Sequence, residues 1–160
     1  MITITTYLPE YQISIIELIL NIQQNEFQVP ITIEDQPDLL TIPSVYQVSN
    51  GNFWVALSGS QVVGTIGLID FGDKLGCVRK MFVKAEFRGK EYGIAQQLLN
   101  KLTEHGRSVG VQSVYLGTVA KLQAAIRFYE RNGFVAIDKQ NLPTNFPVMP
   151  VDTHFFGYDL

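Results

Sequence analysis

The apolar positions change period several times along the chain, and each change marks an element. Residues 1–6 (MITITT) alternate and predict a strand. Pro9 stands where a helix can start, and Tyr11, Ile15, Leu18, Ile19 and Ile22 follow at helical spacing, which predicts an amphipathic helix to about Gln24. Residues 25–31 read as a loop. Thr32 to Asp35 reads as a helix start with acids in its first turn, leading to a short helix near Asp38–Thr41 that Pro43 interrupts. Ser49-Asn50-Gly51-Asn52 is a turn. Phe53 to Leu57, Val62 to Asp70 and Cys77 to Val83 are strands joined by the turns Ser58-Gly59-Ser60 and Phe71-Gly72-Asp73-Lys74, an antiparallel meander.

The second half alternates helix and strand. Ile94, Leu98, Leu99 and Leu102 give the apolar face of a helix over about 93–107, with Gly110 beyond its end. Residues 113–117 (SVYLG) predict a buried strand. Lys121 to Arg131 predicts a helix closed by Asn132-Gly133, and Phe134 to Ile137 another strand. Pro143, Pro147 and Pro150 mark residues 141–150 as a loop, before a last strand from His154 to Tyr158. A helical crossover joins the strand holding Met81 to the strand holding Tyr115, so these two must run parallel. The fold class is therefore α/β with a mixed sheet, an antiparallel meander joined to parallel strands with flanking helices. No linker or repeat divides the chain, and residues 1–160 are expected to form one domain.

Composition narrows the function. With 46% hydrophobic and 17% charged residues, the chain reads as globular. No apolar run is long enough to span a bilayer, and no secretion signal is visible at the N-terminus, so the expected location is cytoplasmic, with no membrane partner. One cysteine and two histidines predict no disulfide and no metal site. The net charge of −3 hides an asymmetry: residues 1–73 hold eight acids and no Lys or Arg, whereas all 12 basic residues lie in 74–160. An acidic chain is a poor match for nucleic acid, but Arg79, Lys80, Lys84, Arg88 and Lys90 form a local basic cluster suited to a small polyphosphate.

That cluster falls in residues 78–102, where a strand passes through a glycine-bearing loop into a helix. Such a turn presents unpartnered backbone N–H groups, and the helix dipole adds positive potential, so this loop is expected to grip a pyrophosphate. Small residues at Gly93 and Ala95 permit close approach of the backbone, and Arg88 and Lys90 add charge.

Two motifs in this order resemble those of the GNAT-type, acetyl-CoA-dependent N-acetyltransferases. One is Phe82-Val83 closing a strand before Gly93-Ile94-Ala95; the other is the helix ending Phe128-Tyr129-Glu130-Arg131-Asn132-Gly133-Phe134. The resemblance implies the GNAT acyl-CoA N-acyltransferase fold and acetyl-CoA as cosubstrate. It implies a cofactor site from Met81, Phe82, Val83, Arg88, Gly89, Lys90, Tyr92, Gly93, Ile94, Ala95 and Phe128. Phe82 and Val83 would hydrogen-bond the pantetheine arm where the parallel strands splay, and Tyr129 would protonate the leaving thiolate. A tyrosine pKa near ~10 is comparable to that of a thiol.

Three positions depart from the family pattern. Lys90 stands at the loop motif's first position in place of Gln or Arg. Cys77 stands where many members carry a Glu base, six residues before the closing Val83. Leu122 stands where an Asn is common, seven residues before Tyr129. The base is thus open among Glu26, Glu34, Asp35, Asp152, His154 and a water relay. Cys77 reads as a buried strand cysteine, with an acyl-carrying nucleophile as the alternative. Arg79 shares its strand face and reads as a structural ion-pair partner or a carboxylate binder. His105 reads as solvated, and loop 141–150 as a surface loop or a lid. The resemblance implies acetyl transfer to a small-molecule amine, cationic or amino-acid-like, by a monomer or homodimer; the alternative is a catalytically weak acetyl-CoA sensor.

Overall fold

The computed structural model describes residues 1–160. The strands are β1 (Ile2–Thr6), β2 (Asn52–Ser58), β3 (Gln61–Gly72), β4 (Leu75–Val83), β5 (Ser113–Thr118), β6 (Val135–Ile137) and β7 (His154–Asp159). They form one sheet in the order β1-β2-β3-β4-β5-β7-β6. The helices are α1 (Gln12–Leu20), α2 (Ile42–Val45), α3 (Ile94–Ser108) and α4 (Gln123–Arg131).

Alternation along β2 sorts the two faces. Phe53, Val55 and Leu57 pack with Ile15, Ile19, Leu39, Ile42 and Tyr46 on the side of α1 and α2. Trp54 and Ala56 pack with Ile66, Leu68, Ile94, Leu98 and Leu102 on the side of α3 and α4. His105 is not simply solvated: its ring stands edge-on to Trp54 at 5.2 Å, and its Nε2 donates to the Asn50 carbonyl at 2.8 Å.

Two helix expectations change. The first helix does not stop near Gln24 but widens into a π-turn over Asn21–Glu26, with Phe27 N–H donating to the Ile22 carbonyl at 3.0 Å. Gln23 is buried in that turn, and π-turns of this kind recur at functional sites. Pro43 begins a helix rather than interrupting one, because a first-turn position needs no N–H. The segment before it, Pro37–Leu40, is a 3-10 turn, and Thr32–Asp35 is a turn closed by Thr32 N–H donating to Asp35 Oδ2 at 2.9 Å.

The centre of the sheet positions the site. In β4, Lys80 adopts φ 55° and the pairing with β3 skips a register, so Lys80 and Met81 together oppose Ile66. This β-bulge bends the strand. β4 then pairs with β5 in parallel only at Leu75–Ser113, Gly76–Val114 and Cys77–Tyr115. Beyond Cys77 the two strands part. β7 pairs antiparallel with β5 along its length and separates it from β6, so β4 and β5 are the one directly paired parallel couple.

Candidate active site

The gap between β4 and β5 joins two cavities that share Met81, Phe82, Leu122 and Ala125. The larger, about 480 Å³, opens on the α3–α4 side. Its walls include Met81, Phe82, Val83, Arg88, Gly89, Lys90, Gly93, Ile94, Ala95 and Phe128. These are ten of the eleven residues expected to hold the cofactor. Tyr92 does not line it. The turn closed by Gly93 N–H on the Gly89 carbonyl, 3.1 Å, turns Tyr92 outward, and its ring lies 5.4 Å from that of Phe87.

The mouth of this cavity is built for an anion. Gly93 takes φ 60°, a left-handed conformation that favours glycine, and caps α3. The first helical bond runs from Gln97 N–H to the Gly93 carbonyl at 3.0 Å, so the N–H groups of Ile94, Ala95 and Gln96 have no acceptor within the helix. Arg88, in the same wall, is held by protein groups. Its Nη2 donates to Glu26 Oε1 at 2.8 Å, its Nη1 pairs with Glu26 Oε2, and its Nε donates to the Val83 carbonyl at 2.8 Å. Lys90 is exposed at the rim.

The smaller cavity, about 100 Å³, lies toward the α1 side and the 138–153 loop. Cys77, Arg79, Lys80, Gln23, Tyr129 and Asp152 bring its polar atoms. The proline-rich loop covers it: Phe146 packs with Cys77 and Phe155, and Met149 and Val151 complete the wall. Arg79 and Lys80, read with the phosphate-binding charges in sequence, face this cavity instead.

Burial sets the chemistry of each group. Cys77 is 1% exposed, and burial pushes its thiol up to about 12, so it is neither thiolate nor base at neutral pH. Tyr129 is buried among Phe128, Phe134 and Phe156. Burial, and then the nearby Asp152 and Cys77, hold its hydroxyl protonated far above the usual tyrosine range. Asp152 lies with its carboxyl group against Gly117, and burial raises it to about 6 despite the opposing charges of Arg79 and Lys80. The other expected bases lie elsewhere. Glu26 pairs with Arg88, Glu34 is exposed, Asp35 holds the Thr32 turn, and exposed His154 contacts Thr153.

A polar cluster unread from sequence supports the bulge. Lys80 Nζ donates to Gln36 Oε1 at 2.6 Å and lies 3.7 Å from Asp38 Oδ2. Tyr46 donates to that same Asp38 oxygen at 2.6 Å, and Gln23 and Gln36 exchange amide bonds. Burial lowers the Lys80 pKa, with Asp38 opposing. The only sequence signal was a lysine, next to Arg79, inside a strand that is apolar elsewhere.

A sheet splayed at one parallel pair, with a helix N-terminus at one mouth and a covered polar cavity at the other, defines the acyl-CoA N-acyltransferase architecture. The chain belongs to the acetyltransferase (GNAT) family, whose model matches residues 16–134. A GNAT-family acetyltransferase from Staphylococcus aureus Mu50 superposes with a TM-score of 0.96 at 38% identity over 99% of both chains. The PaiA N-acetyltransferase of Thermoplasma acidophilum, solved in complex with coenzyme A, shares the fold at a TM-score of 0.77 and 16% identity, over 100% of this chain and 99% of its own. N-acetyltransferase family 8 member 2 of Rattus norvegicus is 34% identical over 104 residues, 62% of this chain and 45% of that protein. The chain thus spans about half the length of such curated relatives. No helix is long and apolar enough to cross a membrane.

Proposed function

We propose that the chain transfers an acetyl group from acetyl-CoA to the amine of a small acceptor. The observation that carries this reading is the meeting of the two cavities across the β4–β5 gap, with Tyr129 and Asp152 both in the wall of the smaller one. The larger cavity fits a coenzyme A arm, because its mouth offers unpartnered N–H groups to a pyrophosphate and its walls are mostly apolar. The coenzyme A-bound Thermoplasma neighbour supports the same fit.

The thioester supplies the acetyl group; the chain supplies position and protons. Asp152 accepts the proton that the attacking nitrogen loses as the N–C bond forms. Tyr129 gives a proton to the sulfur as the C–S bond breaks. Solvent then takes the proton from Asp152 and gives one to Tyr129, so the balance is amine plus thioester to amide plus thiol. With Cys77 protonated, Asp152 is the carboxylate suited to act as base, and its pKa near 6 leaves it ionised at neutral pH. Its presence favours the enzyme over the sensor reading, which rested on the missing Glu.

The test is free-thiol release from acetyl-CoA with a panel of amines, amino acids and polyamines. Acceptor-dependent release supports transfer. Tight coenzyme A binding without release above hydrolysis would leave the sensor.

A further inference from the structure

The smaller cavity holds a cation that the protein leaves without an ion pair. The molecule's ion pairs are Lys80–Asp38, Lys84–Glu86 and Arg88–Glu26. Arg79 is absent from them: no carboxylate oxygen lies within 4.0 Å of its guanidinium. Yet Arg79 is half-buried in the cavity wall. One of its five N–H donors goes to the Pro147 carbonyl, and the group also meets the un-ionised Cys77 thiol. A half-buried guanidinium with no ion pair is costly, and its planar fork matches a carboxylate, the smaller of the two anions it binds in bidentate fashion.

The charges facing the cavity form a pattern. Lys80 is the second cation, already satisfied by Gln36 and Asp38. Asp152 is the one acid in the wall. The acidic first half of the chain does not extend this negative charge into the cavity, because Asp38 and Glu26 are spent on Lys80 and Arg88. A simple cationic amine would satisfy Asp152 and leave Arg79 stranded. A molecule with an amine and a carboxylate satisfies both.

Resting on the transferase reading above, we propose that the acceptor is a small amino acid, its carboxylate held by Arg79 and its amine directed at Asp152. The remaining wall, with Val29, Ile31 and Phe146, suits an apolar side chain, and the volume of about 100 Å³ limits its size.

The experiment compares matched acceptors by thiol release: valine, valinamide and isobutylamine, with the alanine and leucine sets alongside. The carboxamide has the more acidic ammonium, so more of it is neutral near pH 7 and the comparison is biased against the proposal. The expected result is a kcat/KM for each amino acid at least tenfold above its amide and its amine, expressed mainly in KM. Arg79→Gln lowers kcat/KM for the amino acid at least tenfold more than for its amide, which erases the preference, and Arg79→Lys restores part of it. An amide or amine that matches its acid in the native protein, or a preference that survives Arg79→Gln, overturns the proposal and leaves the transferase reading standing. The second measurement is calorimetric binding of N-acetylvaline to the protein saturated with coenzyme A. Binding that is lost in Arg79→Gln, in a protein that turns over no acceptor, keeps the carboxylate site and sinks the transferase reading instead. No binding and no turnover sinks both.

Discussion

The carboxyl group of Asp152 lies against Gly117, on the strand that parts from β4, and the contact leaves no room for a side chain. A Cβ on Gly117 would sit 2.9 Å from Asp152 Cγ and 3.0 Å from its Cβ, with Oδ2 closer still. The glycine therefore fixes where the acid sits relative to the gap. Gly117→Ala is expected to push the carboxylate away from the acceptor and cut kcat about 100-fold, the scale of a displaced general base. Coenzyme A affinity, set in the other cavity, should hold within about twofold. Steady-state kinetics with calorimetric coenzyme A binding checks this; a variant with native kcat shows that Asp152 needs no such support.

Asp152→Asn separates activity from stability. The folded-state pKa of about 6 lies above the ordinary carboxyl value of 3.8. The folded protein thus binds this proton more tightly than the unfolded chain does, so stability falls as pH rises from about 4 to about 6 and stays reduced above. Removing the charge should therefore raise Tm at pH 7.5, by about 2–4 °C if ~1 kcal/mol survives solvent screening. The gain should vanish near pH 4. Activity should move the other way, with the loss of the rising limb of kcat/KM near pH 6. A Tm unchanged at both pH values means that the ionised carboxylate carries no penalty.

Tyr129→Phe keeps the ring and its packing against Phe134 at 5.5 Å and Phe156 at 6.4 Å. Only the hydroxyl is lost. The expected outcome is a fall in kcat of about 100-fold or more with coenzyme A affinity unchanged. An acyl donor with a more acidic thiol should recover much of the loss, because such a sulfur leaves without protonation. Equal sensitivity of both proteins to leaving-group acidity would remove Tyr129 from the proton path.

The lining of the larger cavity was legible because it is local. A strand end, a glycine turn and an amphipathic helix follow one another in sequence, and Phe82, Val83, Gly93 and Ala95 could be aligned directly. The acceptor half is assembled from segments far apart. Asp152, Arg79 and Gln23 line one cavity only because β7 enters between β5 and β6 and because the helix after α1 widens into a π-turn, and neither event has a periodic signature. The basic cluster grouped Arg79 and Lys80 with the loop charges for the same reason, although Arg79 by itself reads as a structural ion-pair partner or a carboxylate binder. Their charge suggested a phosphate, but the strand's pleat and the bulge at Lys80 turn both to the other cavity. Tyr92 looked like part of the loop site by position, and a single turn rotates it out.

Gly93 has open space around it, with the nearest atom to an added Cβ being the Lys90 carbonyl oxygen at 3.9 Å, but its φ of +60° is strained for any other residue. Gly93→Ala should cost about 1 kcal/mol of stability and weaken coenzyme A binding moderately. Gly93→Val adds bulk where, in the proposed mode, a pyrophosphate would approach the N–H groups of Ile94 and Ala95, and binding should fall by 100-fold or more. Dephosphorylated pantetheine analogues, which carry no pyrophosphate, should lose much less. Parallel losses for both ligands would place the damage in the cavity walls rather than the anion turn.

The Arg88–Glu26 pair makes the last case, because it sets two attractive anions in competition for one guanidinium. Glu26 holds both Nη groups and Phe27 lies beneath, with the guanidinium carbon 5.7 Å from the ring centre. Arg88 also lines the larger cavity, so a bound pyrophosphate would draw on the same charge. Glu26→Gln relaxes the pair without removing the side chain's bulk. Coenzyme A affinity should then rise about three- to tenfold at low salt, and the advantage should shrink toward 1 M salt, where screening reaches a few ångströms. Since Glu26 stands outside the acceptor cavity, kcat should not change. Weaker binding in Glu26→Gln would mean that the pair shapes the cavity wall, through Arg88 Nε on the Val83 carbonyl, more than it withholds charge from the ligand.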